Sequence, residues 1–278
     1  MKDPYLYPNT EVLKNLAGIT DENNLKDMEA DYTCYRLSEL AMDNSKSSFN
    51  FAGLCGIHYA IFQDVYDWAG KIRIINIEKA EPALGGISIE YADCFEVERE
   101  LKSILTEMDE YPWGKAEFEN IVKTFSGYMA KLWKVHPFRE GNTRTIVIFC
   151  SRFIESKGTY TDNELFKDNA EYMRTSLVAA TAIFPDIGDK RQSEYLERIV
   201  RDAFQNGKNM KEKVEKQVKS AGIKVSNDII REIMYWNRKE NKIHNINEIK
   251  RYFEQNESKV KCSEQSSDVD SSTHIAHK

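Results

Sequence analysis

"KVHPFREGNTRTIVIF", residues 134–149, is the stretch on which the reading of this chain turns. His136, Glu140, Gly141, Asn142 and Arg144 crowd together there, directly before an apolar run. The flanking stretches 115–135 and 143–156 carry helical periodicity, so "HPFREGN" is the bend between two helices. Gly141 permits a positive φ and close approach of the backbone. Asn142 is a good N-cap for the second helix. The free N–H groups of that helix's first turn, with its dipole, then make an anion site. Arg144 adds a fixed charge whose donors suit phosphate oxygens. Glu140 opposes an anion unless a cation lies between them, which is how Mg²⁺ is commonly held beside phosphates. His136 can accept a proton from a nucleophile near neutral pH. Phe138, between Pro137 and Arg139, is expected to face inward and pin the loop.

Together these groups read as base, metal carboxylate, phosphate nest and phosphate arginine, the parts needed for nucleotidyl or phosphoryl transfer. Each part has a plainer reading. The histidine could be a polar packing residue, Asn-Thr-Arg ordinary capping, and Glu140 a complement to the helix dipole. A metal-only site lacks a third ligand near His136 and Glu140. No GxxxxGK[ST] stretch occurs, so a P-loop is excluded.

Composition describes a globular chain: 278 residues, 41% hydrophobic and 30% charged. Its longest apolar runs, such as "TIVIFC" at 145–150, fall far short of a membrane span. The opening "MKDPYLYPNT" has no signal-like character. The cysteines, five in number, are scattered and lack CxxC spacing, which points to a reducing cytoplasm rather than a disulfide framework or zinc cluster. A net charge of −6 gives no case for sequence-independent nucleic-acid binding.

Helical spacing dominates residues 21–42, 49–70 (closed by Gly70), 92–111, 168–184 and 191–207. Between them, "KIRIINIEKA" (71–80), through Ile72, Ile74 and the Ile75-Asn76-Ile77 group, and "ISIEY" (87–91) alternate in strand fashion around "PALGG", which predicts a short β-hairpin. Composition shifts after Gly207. Residues 208–255 read as a small helical appendage, and the Ser/Asp-rich 256–278 as a disordered tail. The expected domains are therefore 1–207, 208–255 and 256–278.

The opening stretch resembles the Fic family signature HxFx(D/E)GN(G/K)RxxR, with His136, Phe138, Glu140, Gly141, Asn142 and Arg144 matching in order and spacing. The likeness extends to "DPYLYPNTEVLKNLAGITDENNL", "DVYDWAGKIRIINIEK" and "EYMRTSLVAAT", covering roughly residues 3 to 205. It implies a mainly α Fic-fold helical bundle with a β-hairpin flap over the site, and transfer of AMP from ATP to a target hydroxyl. His136 would then be the base and Glu140 the Mg²⁺ ligand. Gly141, Asn142 and Thr143 would cradle phosphates, and Arg144 would neutralise the leaving group. A target protein would dock on the flap, Ile72–Tyr91, by strand addition.

Two positions depart from the signature. Thr143 stands for Gly or Lys, and Val147 for an arginine that typically holds the γ-phosphate. A Fic-fold kinase or other donor-using transferase, and a catalytically weak interaction protein, remain as alternatives. Neither end carries the inhibitory (S/T)xxxE(G/N) pattern; the nearest, "SEYLER" and "WNRKEN", are incomplete. The chain is thus expected to lack the usual self-inhibition, and a separate antitoxin-like partner and self-association are both compatible with the resemblance.

Overall fold

The computed structural model describes residues 3–42, 48–184, 186, 188–240 and 242–255. The expected tail, 256–278, lies outside them. Helices run α1 Glu22–Met42, α2 Phe51–Phe62, α3 Val97–Glu110, α4 Phe118–Val135, α5 Asn142–Ser156, α6 Asn163–Asp168, α7 Ala170–Thr181, α8 Glu194–Ser220 and α9 Asn227–Lys239. A two-stranded antiparallel ladder, β1 Ile183–Phe184 and β2 Gly188–Asp189, follows α7.

Residues 1–208 form one compact unit. Its centre is the α4–α5 pair, with α3 and α7 packed on α4 and α2 packed on α5. The sequence explains the pairing. In α4, Val122, Phe125, Met129, Leu132 and Trp133 repeat at helical spacing and are buried, as are Ile146, Phe149, Cys150 and Phe153 in α5. Each such large side chain stabilises the fold by roughly 1.5–3 kcal/mol. In α3, Val97, Leu101, Leu105 and Met108 form a single buried stripe. The bend between α4 and α5 is thereby held by two helices that cannot move independently.

Several boundaries differ from expectation. The second helix ends at Phe62 rather than Gly70, because the chain turns back on it: the Gly70 N–H donates to His58 Nδ1 at 2.8 Å. Gly70 has φ +77°, and an added Cβ there would lie 2.9 Å from that of Tyr59. The third helix starts at Val97, since the Cys94 and Phe95 N–H groups are taken by the side chains of Asn76 and Asp93. The segment expected as one helix over 168–184 is α6, α7 and β1 in turn. Gly207 ends nothing. It lies inside α8, where a Cβ would come 2.1 Å from the Tyr160 carbonyl oxygen, so the glycine serves close packing.

The hairpin strands expected over 71–91 do not form. The segment doubles back around a 3₁₀ turn, Pro82–Leu84, but its return contacts are few: Glu81 N–H to Ile87 O at 3.4 Å, and Lys79 N–H to the Ser88 hydroxyl at 3.0 Å. Burial alternates from Arg73 onward, after a half-buried Ile72. Arg73 is buried and Ile74 is 68% exposed, with Ile75, Ile77 and Lys79 following Arg73 inward. Backbone groups here bond to side chains and to the motif loop instead of to each other.

The described residues after 208 fall in a second unit. Its described part buries Val214, Val218, Ile230, Ile233, Met234 and Ile249. Trp236 stacks on His244 at 3.4 Å and on Tyr252 at 4.5 Å.

Candidate active site

Helix α4 ends because His136 adopts a left-handed conformation, φ +51° and ψ +60°. That conformation is strained for any residue but glycine. Its side chain is buried, stacked on Tyr91 at 4.0 Å and set edge-on to Trp133 at 5.2 Å. Nδ1 lies 3.3 Å from the Trp133 carbonyl oxygen, a contact that places the ring proton on Nδ1. Nε2 is left with its lone pair and no hydrogen-bond partner. Burial, and then the Lys79 ammonium, hold the imidazole pKa well below the usual histidine range. A neutral ring with an unengaged acceptor nitrogen is the form a general base needs.

Glu140 follows on the same loop. One carboxylate oxygen accepts the Gly141 N–H at 3.0 Å, and the other accepts Lys79 Nζ at 2.8 Å. Burial works against its charge, yet the Lys79 ammonium and the Gly141 N–H outweigh it and hold its pKa at about 2. The carboxylate is therefore ionised and already faces a cation. A lone carboxylate of this kind suits Mg²⁺, which takes its remaining ligands from water and substrate phosphates. Among the described residues no cluster of three or more metal-ligating side chains occurs, so an all-protein metal cage does not fit.

Gly141, at φ +82°, caps α5, and an added Cβ would meet the Phe62 ring at 2.2 Å. The expectation that Asn142 is the cap is corrected here. Asn142 is the first helical residue, and its amide clamps the loop by accepting the Phe138 N–H at 2.9 Å and donating to the Phe138 carbonyl at 2.8 Å. Thr143 is likewise engaged, its hydroxyl accepting Trp133 Nε1–H at 2.9 Å. What Asn142, Thr143 and Arg144 offer a ligand is the backbone N–H row of the first turn, ahead of the first intrahelical donor, Thr145 N–H to Gly141 O at 3.1 Å. Phe138 is buried as expected and stacks on His58 at 3.8 Å.

Arg144 lies 4.8 Å over the Phe62 ring and donates to Glu29 and, at 3.0 Å, to the Thr33 hydroxyl, both from α1. Tyr66 donates to the other Glu29 oxygen. A glutamate therefore stands on the motif arginine although neither end carries the inhibitory pattern.

Other residues complete the site without any local signal in the sequence. Arg73 donates to the carbonyls of Ile75 at 2.7 Å and His136 at 2.8 Å, and to those of Ala92 and Val135. Its own N–H donates to Pro137 O at 2.8 Å. One buried guanidinium thus ties the covering segment to the last turn of α4. Glu81, also buried, accepts the Tyr91 hydroxyl at 3.1 Å and Arg174 of α7 at 3.0 Å. His58 accepts from Gly70 and, through Nε2–H, donates to the Glu140 carbonyl at 3.0 Å.

Comparison with known proteins places this site in a family. Residues 48–154 match the Fic/DOC family model. A probable protein adenylyltransferase of Sinorhizobium fredii is 33% identical over 57% of this chain and 78% of its own length. The protein adenylyltransferase VbhT of Bartonella schoenbuchensis is 31% identical over 58% of this chain, which spans about a third, 32%, of that protein. Among solved structures, Bartonella tribocorum BepC with bound AMPPNP superposes with a TM-score of 0.60 at 21% identity, covering 72% of this chain and 95% of that one. An ADP-bound Fic domain from Bartonella quintana gives 0.58 at 21%, covering 72% and 93%. The helix–loop–helix site, its histidine and glycine geometry, and a relative matched over most of its length agree: the chain belongs to the Fic/DOC family.

Proposed function

We propose that this chain is a protein adenylyltransferase, moving AMP from ATP to a hydroxyl of a target protein. The observation that carries the reading is His136 Nε2, an acceptor nitrogen with no partner on a ring kept neutral, beside the N-terminus of α5. Relatives named as adenylyltransferases and neighbours holding AMPPNP or ADP support the same donor chemistry.

In the reaction the target oxygen bonds to the α-phosphorus, the bond from that phosphorus to the bridging oxygen breaks, and pyrophosphate leaves. His136 Nε2 takes the hydroxyl proton. The N–H groups of Asn142, Thr143 and Arg144 hold phosphate oxygens at the helix start. The Arg144 guanidinium, fixed by Glu29, faces the charge that develops on the leaving group. Glu140 would hold Mg²⁺, which when bound supplies charge neutralisation across the phosphates. The segment 72–91 is the surface on which a target's backbone would dock, and self-modification follows if a second copy presents a hydroxyl there.

Purified protein with Mg²⁺ and ATP labelled at the α- or γ-phosphate tests this, with lysate and the chain itself as acceptors. Label from the α-phosphate alone is expected. Label from the γ-phosphate alone would make the protein a kinase and overturn the reading.

A further inference from the structure

This inference rests on the AMP-transfer reading, which requires a polyanion at the first turn of α5. The charges around that turn are mostly committed. Arg144, braced by Glu29 and Thr33, already has its place at the leaving group, while Arg139 is on Asp3 at 2.9 Å and Arg174 is on Glu81. Arg73 is enclosed by four backbone carbonyls. Val147, one turn along α5 from the motif, is packed against the core and offers no charge.

Lys79 differs from all of these. Its inward phase on the covering segment brings Nζ to 2.8 Å from one Glu140 oxygen, while the other Glu140 oxygen is 3.0 Å from the Gly141 N–H. The ammonium therefore stands one carboxylate away from the anion-binding turn. Its side chain is only 16% exposed, and its backbone is anchored through Ser88. Its acid partner is the oxygen that a divalent cation would take, and a cation arriving there would release the lysine. A strongly charged, three-donor group on a flexible stem would then lie beside phosphate oxygens.

We propose that Lys79 is a nucleotide-binding residue whose ammonium passes from Glu140 to the phosphate chain of the donor, so that the covering segment supplies a positive charge to the site. The same lysine then keeps Glu140 compensated before the donor arrives and neutralises phosphate afterwards.

Isothermal titration of the full chain with AMPPNP, ADP and AMP in the presence of Mg²⁺ tests this, comparing Lys79→Met with the unsubstituted protein. Charge-assisted contact predicts that AMPPNP binding weakens roughly tenfold or more. ADP should lose less, and AMP should change by no more than about twofold. The salt dependence of AMPPNP binding should also become shallower, and Lys79→Arg should restore most of the affinity. Thermal unfolding checks that the variants fold, with Lys79→Gln standing in if the methionine variant does not. Equal affinity of variant and unsubstituted protein for all three nucleotides would overturn the proposal. So would an equal loss for all three, which would mark a purely structural role. If the unsubstituted chain binds no adenine nucleotide, the transfer reading falls and takes this proposal with it. Transfer from α-labelled ATP with nucleotide affinity indifferent to Lys79 would overturn this proposal alone.

Discussion

At position 141 an added Cβ would lie 2.2 Å from two atoms of the Phe62 ring, on a backbone with φ +82°. Steric overlap and left-handed strain act together there, so Gly141→Ala should destabilise the fold by roughly 2–4 kcal/mol, read by denaturant unfolding. His136→Ala tests the other end of the loop. Losing a general base should cut AMP transfer by about 10²- to 10⁴-fold, while nucleotide affinity stays within about twofold in titration. These residues were legible because their roles are written locally: a glycine, a histidine and a carboxylate on one seven-residue bend. Glu29, His58, Lys79 and Glu81 were not legible. Their partners lie far along the chain, as with Lys79 and Glu140, 61 residues apart. No spacing rule reports such a pairing.

Between the helices, the covering segment 71–91 is fastened to the rest by side chains. Arg73 carries most of that load, since its removal leaves the carbonyls of Val135, His136, Ile75 and Ala92 without their donor. Arg73→Met should cost roughly 3 kcal/mol, and hydrogen exchange should quicken over 71–92 and the last turn of α4. Unchanged exchange in both segments would refute the tether. The alternating pattern of this stretch was visible in the sequence, but which face turns inward was not. The isoleucines at 72, 74, 75 and 77 fall on both faces of a period-2 pattern, so they name no inner face. Here a carbonyl-lined interior recruited Arg73 instead, because its donors satisfy backbone groups that a leucine would leave unpaired. The helices themselves were legible in kind. Their ends moved wherever a distant side chain, such as His58 or Asp93, captured a backbone group.

Across the whole molecule, one titration should be visible in folding stability. His58 lies between Phe62 and Phe138 with both ring nitrogens satisfied in the neutral form. Burial first, then the nearby Arg144 charge, lowers its pKa from 6.5 to about 4, against the opposing effect of its bond to the Glu140 carbonyl. The unfolded chain therefore binds the proton more tightly than the folded one. Its contribution is complete above pH 6.5, declines as pH falls toward 4, and is lost below that. Denaturation of the metal-free, nucleotide-free protein across this window should show the slope, to which buried His136 adds with the same sign, and His58→Asn should make it shallower. A stability profile unaffected by that substitution would refute the assignment. The mainly helical class was readable from periodicity, and the change of character after Gly207 from composition, although that glycine sits within a helix.

The left-handed turn at His136 has a consequence for how this sequence would drift. The strained backbone there is held by its surroundings: the ring is packed on Tyr91 and Trp133, and the carbonyl accepts from Arg73. Replacing the histidine with glycine would relieve roughly 1 kcal/mol of that strain, but it would empty the space the buried ring fills between Tyr91 and Trp133, which costs more. Inactive descendants that shed the ring should therefore be less sturdy than their working ancestor unless Tyr91 and Trp133 repack into the space.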